Sequence, residues 1–242
     1  MRFDGKRYWL VGASEGLGRA LAIKLSHAGA ELVLSARAEG RLHSLADDLP
    51  GKAQVLQLDL ADEASVVQAG AALGRVDGVV FLAGVYWPMS AQEWDGPSVL
   101  AMADINFIGA FRVLNQVMPQ FLERGAGHIV ITGSLSGFRG LPGAIGYGAS
   151  KAGVMALAES LYADLRLTGI KVQVANPGFI KTRLTEKNAF HMPFLMSPDV
   201  AADHMLHHMA SKRFKRSFPT LFSWLFRFSQ FWPDWLYYWV FR

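Results

Sequence analysis

The chain of 242 residues has no cysteine. That excludes disulfides, thiol nucleophiles and thiolate metal sites, and it suits a reducing compartment. Charge is sparse, with 18% of residues Asp, Glu, Lys or Arg, and the net +4 comes largely from the last quarter. Binding nucleic acid normally takes a longer basic stripe within a recognisable module, and none is present. The N-terminus offers only Tyr8 to Val11 as an apolar run before a glycine turn, so it lacks the core of a secretory signal and a cytoplasmic protein is expected. The seven histidines stand singly apart from His204, His207 and His208, and no metal site is expected. Long polar or repetitive tracts are also missing. With 51% apolar residues, that points to a compact globular chain.

What is present is an alternation. Short Val/Leu/Ile runs at Tyr8 to Val11, Leu32 to Leu34, Val55 to Leu58, Val79 to Leu82, Ile129 to Thr132 and Val172 to Ala175 have the character of strands buried on both faces. Helical patterns lie between them, at Leu17 to Ala28, Gly40 to Leu49, Glu63 to Leu73, Pro97 to Arg124 and Tyr147 to Leu167. The alternation predicts an α/β fold with a doubly wound parallel sheet, the Rossmann architecture, as a single domain over 1–217 followed by an aromatic segment over 218–242. Ligands of such sheets lie beyond the carboxyl ends of the strands.

The unusual residues sit there. After the first strand, V-G-A-S-E-G-L-G places Gly12, Ser14, Glu15, Gly16, Leu17 and Gly18 ahead of a helix. Glycines at these points permit a tight turn, close approach to a pyrophosphate, and close packing of helix on strand, with free N–H groups facing the phosphates. The second strand ends in Ala36 and Arg37 rather than an acid that would bind the ribose hydroxyls of NAD. A guanidinium suits a 2′-phosphate, so NADP(H) is the expected cofactor, with Ser14 as a helper. Asp59 and Leu60 close the third strand, where the Asp59 carboxylate either meets the adenine edge or caps the next turn. Ala83 and Gly84 after the fourth are small enough to let a cofactor pass.

With Y-G-A-S-K (Tyr147 to Lys151) added, the sequence resembles the short-chain dehydrogenase/reductase family over roughly residues 5 to 200. G-A-S-E-G-L-G resembles its cofactor loop and L-A-G (Leu82 to Gly84) its strand-four motif. Asn106, Ser134 and N-P-G-F-I-K-T (Asn176 to Thr182) follow in the family's order, with Ser134 thirteen positions before Tyr147. The resemblance implies a catalytic set of Ser134, Tyr147, Lys151 and Asn106. Tyr147 would act as general acid and base, Ser134 would bond the substrate oxygen, and Asn106 would hold a water relay to Lys151. A neighbouring ammonium, with the helix N-terminus and a cationic nicotinamide nearby, is expected to favour the Tyr147 phenolate near neutral pH. Asn106, Tyr147, Lys151, Pro177, Gly178, Ile180 and Thr182 join the expected cofactor contacts. Val11 and Leu82 depart from the family's usual Thr and Asn, and the two apolar side chains are expected to pack on one another.

Substrate contacts are expected from Trp87, Met89, Phe138, Leu141 and an apolar lid near 183–197, which favours a hydrophobic, lipid-like carbonyl or alcohol. From Phe218 onward 12 of 25 residues are aromatic, with no uninterrupted apolar run of spanning length. Two readings stand for 212–242. One is a peripheral anchor at the inner membrane face, with Lys212, Arg213, Lys215 and Arg216 on anionic headgroups. The other is an element buried over the substrate site or in a homodimer interface. A homo-oligomer is expected. Rival functions are a lyase or epimerase on the same fold, and a non-catalytic NADP(H) sensor or scaffold.

Overall fold

Strands buried on both faces need helices on both sides, and this chain supplies them. The computed structural model describes residues 2–188 and 190–241; Ala189, inside the expected lid, lies outside them. Strands β1 (Arg7–Val11), β2 (Glu31–Ser35), β3 (Ala53–Val55), β4 (Gly78–Phe81), β5 (Ala126–Thr132), β6 (Gly169–Pro177) and β7 (Lys215–Phe218) form one parallel sheet in the order β3-β2-β1-β4-β5-β6-β7. The winding reverses between β1 and β4, which opens a crevice at their carboxyl ends.

Helices α1 (Gly16–His27), α2 (Glu39–Asp48) and α7 (Pro198–Ala210) cover one face, on Tyr8, Leu10, Leu34, Val80 and Val130. Helices α3 (Glu63–Leu73), α5 (Gly109–Glu123) and α6 (Ile145–Leu165) cover the other, on Trp9, Val33, Val79, Phe81 and Ile129. The bulky residues of β1 keep their polar tips satisfied inside: Trp9 Nε1 donates to Ser35 Oγ at 2.9 Å, and Tyr8 Oη lies 2.8 Å from His128 Nδ1.

Several expectations need correction. The third strand ends at Val55 rather than Leu58, although Leu56 and Leu58 still donate to the carbonyls of Leu34 and Ala36. The helix expected over Pro97 to Arg124 is α4 (Gly96–Ala103) and α5 joined by a π turn at Asp104–Ile108. By length and composition Gly96–Glu123 could cross a membrane, but it packs on α3 and α6 within this fold. Val11 and Leu82 do not pack on each other: alternation sends them to opposite faces of the sheet, and Leu82 N donates to Val11 O at 2.8 Å instead.

In the basic run, Lys215 and Arg216 belong to β7. Lys215 pairs with Glu159, Arg216 reaches His204, and Lys212 and Arg213 precede the strand on its amino side. Beyond Phe218 the chain forms α8 (Thr220–Ser229) and α9 (Asp234–Val240), a helical hairpin at the carboxyl end of the sheet.

Candidate active site

The carboxyl ends of the strands enclose a cavity of about 950 Å³. Its wall takes in Gly12, Ser14, Glu15, Gly16, Leu17 and Gly18 after β1, Arg37 after β2, Asp59 and Leu60 after β3, and Ala83 and Gly84 after β4. Ser134 follows β5; Tyr147 and Lys151 come from α6; Pro177, Gly178, Ile180 and Thr182 follow β6. Segments remote in sequence meet because each begins where a parallel strand ends.

The glycine loop is closed too tightly for side chains. Gly12 holds φ +97°, and a Cβ there would meet Ala83 N at 2.6 Å; a Cβ on Gly18 would meet Gly12 O at 2.0 Å. At Gly16 it would strike Thr182 Cγ2 at 2.8 Å. What remains is bare backbone beneath the start of α1, open to the cavity, which fits the pyrophosphate of a dinucleotide.

Tyr147 and Lys151, one helical turn apart, reach the same wall. Lys151 is 3% exposed, its Nζ donates to Thr132 O at 3.0 Å, and burial pulls its pKa down to about 8. Burial pushes the Tyr147 phenol up to about 12; a hydrogen bond with Ser134 pulls the other way, and the neighbouring Tyr86 adds to the rise. In the free protein, desolvation of the anion favours the protonated phenol over the pull of Ser134. Ser134 caps the turn Leu135–Gly137 and accepts from Ser136 N at 3.2 Å and Ser136 Oγ at 2.9 Å.

Asn106, expected among the cofactor contacts, does not line the cavity. It is fully buried in the π turn, where Oδ1 accepts from Val85 N at 2.7 Å and Nδ2 donates to Val85 O at 2.9 Å and Ser150 Oγ at 3.0 Å. It braces the loop after β4. A Cβ on Gly84 would lie 3.5 Å from Asn106 Oδ1 and 3.6 Å from Lys151 Nζ, so glycine keeps the space between those two groups open.

At the other end Arg37 is exposed, its guanidinium unpaired among the described residues. Arg41, overlooked in the sequence because it lies inside α2, also lines the cavity and bonds Glu15 at 2.6 Å. Glu15 further accepts from Arg183 at 2.7 Å, linking the glycine loop to the segment after β6. Asp59 Oδ1 accepts from Ala61 N at 3.0 Å, which makes it a turn cap as well as a wall residue.

The end beyond Tyr147 is mostly aromatic and aliphatic, with Lys187 Nζ over the Trp87 ring at 4.7 Å. Trp87, Leu141 and Phe190 line it as expected, whereas Met89 and Phe138 do not: Met89 bridges to Ala144, and Phe138 packs behind the wall. Four unforeseen aromatics complete it. Tyr86 meets Tyr147 edge to face at 5.0 Å, Phe179 follows β6, and Phe222 and Phe226 come from α8. The last two stand at i and i+4, on one helix face, and that spacing is the signal in the sequence that could have found them. Part of the tail is therefore buried over this site, as one of the two readings held.

A family model described as short chain dehydrogenase matches residues 6–192. An uncharacterized oxidoreductase of Myxococcus xanthus is 38% identical over 203 residues, covering 81% of this chain and 80% of the relative. The 3-oxoacyl-[acyl-carrier-protein] reductase of Escherichia coli K12 is 32% identical over 194 residues, covering 76% and 78%. A solved short-chain dehydrogenase from Sphingobium yanoikuyae in complex with NADPH superposes with a TM-score of 0.82 at 27% identity, over 89% of this chain and 88% of that one. The chain belongs to the short-chain dehydrogenase family and is an oxidoreductase that uses a nicotinamide cofactor.

Proposed function

We propose that the chain is an NADP(H)-dependent reductase that interconverts a hydrophobic carbonyl and its alcohol, with Tyr147 as the proton donor. The observation that carries this reading is the position of Ser134, Tyr147 and Lys151 at the junction between a glycine cradle and an aromatic end of one cavity. Bound in the cradle, the nicotinamide would supply the hydride. The chain supplies the rest. A phenol held protonated up to about 12 carries at neutral pH the proton that carbonyl reduction consumes. Lys151 keeps a positive charge beside the phenolate left behind, and the Ser134 hydroxyl stabilises charge on the substrate oxygen. The gap at Gly84 gives a water linking Asn106 to Lys151 a place to return the proton.

Arg37 and Arg41 support a 2′-phosphate, and the Escherichia coli relative, a 3-oxoacyl reductase, suggests acyl carbonyls as substrates. The test is a panel of ketones, aldehydes and 3-oxoacyl thioesters with NADPH or NADH, followed by nicotinamide absorbance. Consumption of NADPH with apolar members supports the reading; inertness across the panel, or NADH preference, contradicts it.

The outer face of the hairpin is proposed to rest on a lipid surface. Trp224, Phe228, Phe231, Trp235, Tyr238 and Trp239 are all exposed there, and such rings favour the bilayer interface. Arg227 is exposed beside them, while the one acid, Asp234, is paired with Arg139. Co-sedimentation with phosphatidylglycerol vesicles should fall in a Phe231→Ser/Trp235→Ser variant, and equal sedimentation would defeat the anchor.

A further inference from the structure

The loop that carries Ser134 is bolted to the C-terminal hairpin. Five residues after Ser134, Arg139 Nη1 donates to Ser229 O at 2.5 Å and Trp232 O at 3.0 Å, and Nη2 bonds the carboxylate of Asp234. Its guanidinium also stacks on the Tyr237 ring at 4.1 Å. Ser229 is the last residue of α8, where a cation is favoured by the helix dipole, and its carbonyl also accepts from Trp232 N at 3.1 Å; Trp232 lies in the turn between α8 and α9. Two more bonds run across the same seam: Gln230 Nε2 donates to Phe138 O, and Tyr237 Oη donates to Gly140 O, each at 2.9 Å. Arg139 is thus held by charge, fork geometry and a ring at once, which lysine cannot reproduce.

Seated in this way, α8 turns Phe222 and Phe226 inward. They pack with Leu135, the residue after Ser134, and face the cavity next to Phe179 and Phe190. Helix periodicity separates this inner face from the exposed one. Leu135 and Leu141 of the loop line the cavity too, and the hairpin extends that apolar wall with Phe222 and Phe226.

We infer that Phe222 and Phe226 form a subsite for an unbranched acyl or alkyl chain, and that Arg139 is the positioning residue that fixes this wall relative to Ser134. The inference rests on the apolar-substrate reading but needs no turnover. Chain length beyond the reacting carbonyl is read by the hairpin, while the cradle and Tyr147 serve long and short substrates alike.

The test measures binding to the full chain by displacing a fluorescent polyene fatty acid with 1-alkanols of increasing length. Wild-type affinity should rise roughly fourfold per added methylene, the value of a buried CH₂, until the subsite is full. Phe226→Ala and Arg139→Gln should flatten that dependence, and Arg139→Lys should fall between. Where a carbonyl series is turned over, KM for long members should rise about tenfold or more while kcat and KM for short members stay within about twofold. A wild type blind to chain length, or variants with the wild-type slope, overturns the inference. Equal loss at every length overturns it too, since a merely structural role predicts that. Because Phe226→Ala leaves the clamp intact, it decides the matter if Arg139→Gln fails to fold. Chain-dependent binding without any reduction would sink the reductase reading and leave the subsite standing.

Discussion

Lys151 Nζ lies 5.7 Å from the centre of the Tyr147 ring, one helical turn away and buried on the same wall. Burial costs this ammonium its proton early, at about pH 8 rather than near 10. The phenol, at about 12, keeps its own proton throughout that range. A charged Lys151 is present below about 8 and lost above it, so kcat/KM for reduction should fall as pH rises through that value. Lys151→Met should remove the limb and lower the rate at neutral pH. A wild-type profile flat to pH 10 would contradict the role given to the ammonium.

Arg37 stands at the cofactor end with an unpaired guanidinium, whereas Arg41 is already bonded to Glu15. Hydrogen bonds to a charged group contribute about 1.5–3 kcal/mol, so Arg37→Ala should weaken NADPH binding roughly 10- to 100-fold and leave NADH within about twofold. Arg41→Ala should cost less. Titration by cofactor fluorescence decides it, and equal losses for the two cofactors would refute the 2′-phosphate assignment.

Two histidines are buried, His128 in β5 and His208 on α7 against β6. Burial, with Lys171 adding, pulls His128 down to about 3; His208 is pulled to about 4, also by burial. Both folded values lie below the ordinary 6.5, so between about pH 6.5 and 4 the unfolded chain binds protons that the folded one refuses. Stability should therefore fall as pH falls through that window, with a slope approaching about 1.4 kcal/mol per pH unit for each histidine. Urea midpoints at stepped pH measure it, and His128→Asn should reduce the slope. Constant stability from pH 6.5 to 5 would contradict the buried neutral pair.

The central sheet and the glycine cradle were legible because strict burial leaves a pattern: runs such as L-V-L can only be interior strands, and Gly12 and Gly18 stand where no Cβ fits. Strand β7 escaped because four residues, two of them cations, carry no apolar period. The hairpin was ambiguous for a different reason. Aromatic residues read the same whether they face lipid or a cavity, and here α8 does one on each face. Arg139 gave no signal, since its partners, two backbone carbonyls, the Asp234 carboxylate and the Tyr237 ring, lie some ninety or more positions away. At Tyr147 the spacing shows the cation nearby but not the loss of water around the phenol, which pushes its pKa up.

The most direct test is Tyr147→Phe, which deletes one oxygen and leaves the ring against Tyr86. Reduction of the best panel carbonyl should drop about 10²- to 10⁴-fold, the range of a lost acid–base group, while NADPH binds as in the wild type. A variant that keeps more than about a tenth of the rate would show that Tyr147 is not the proton donor.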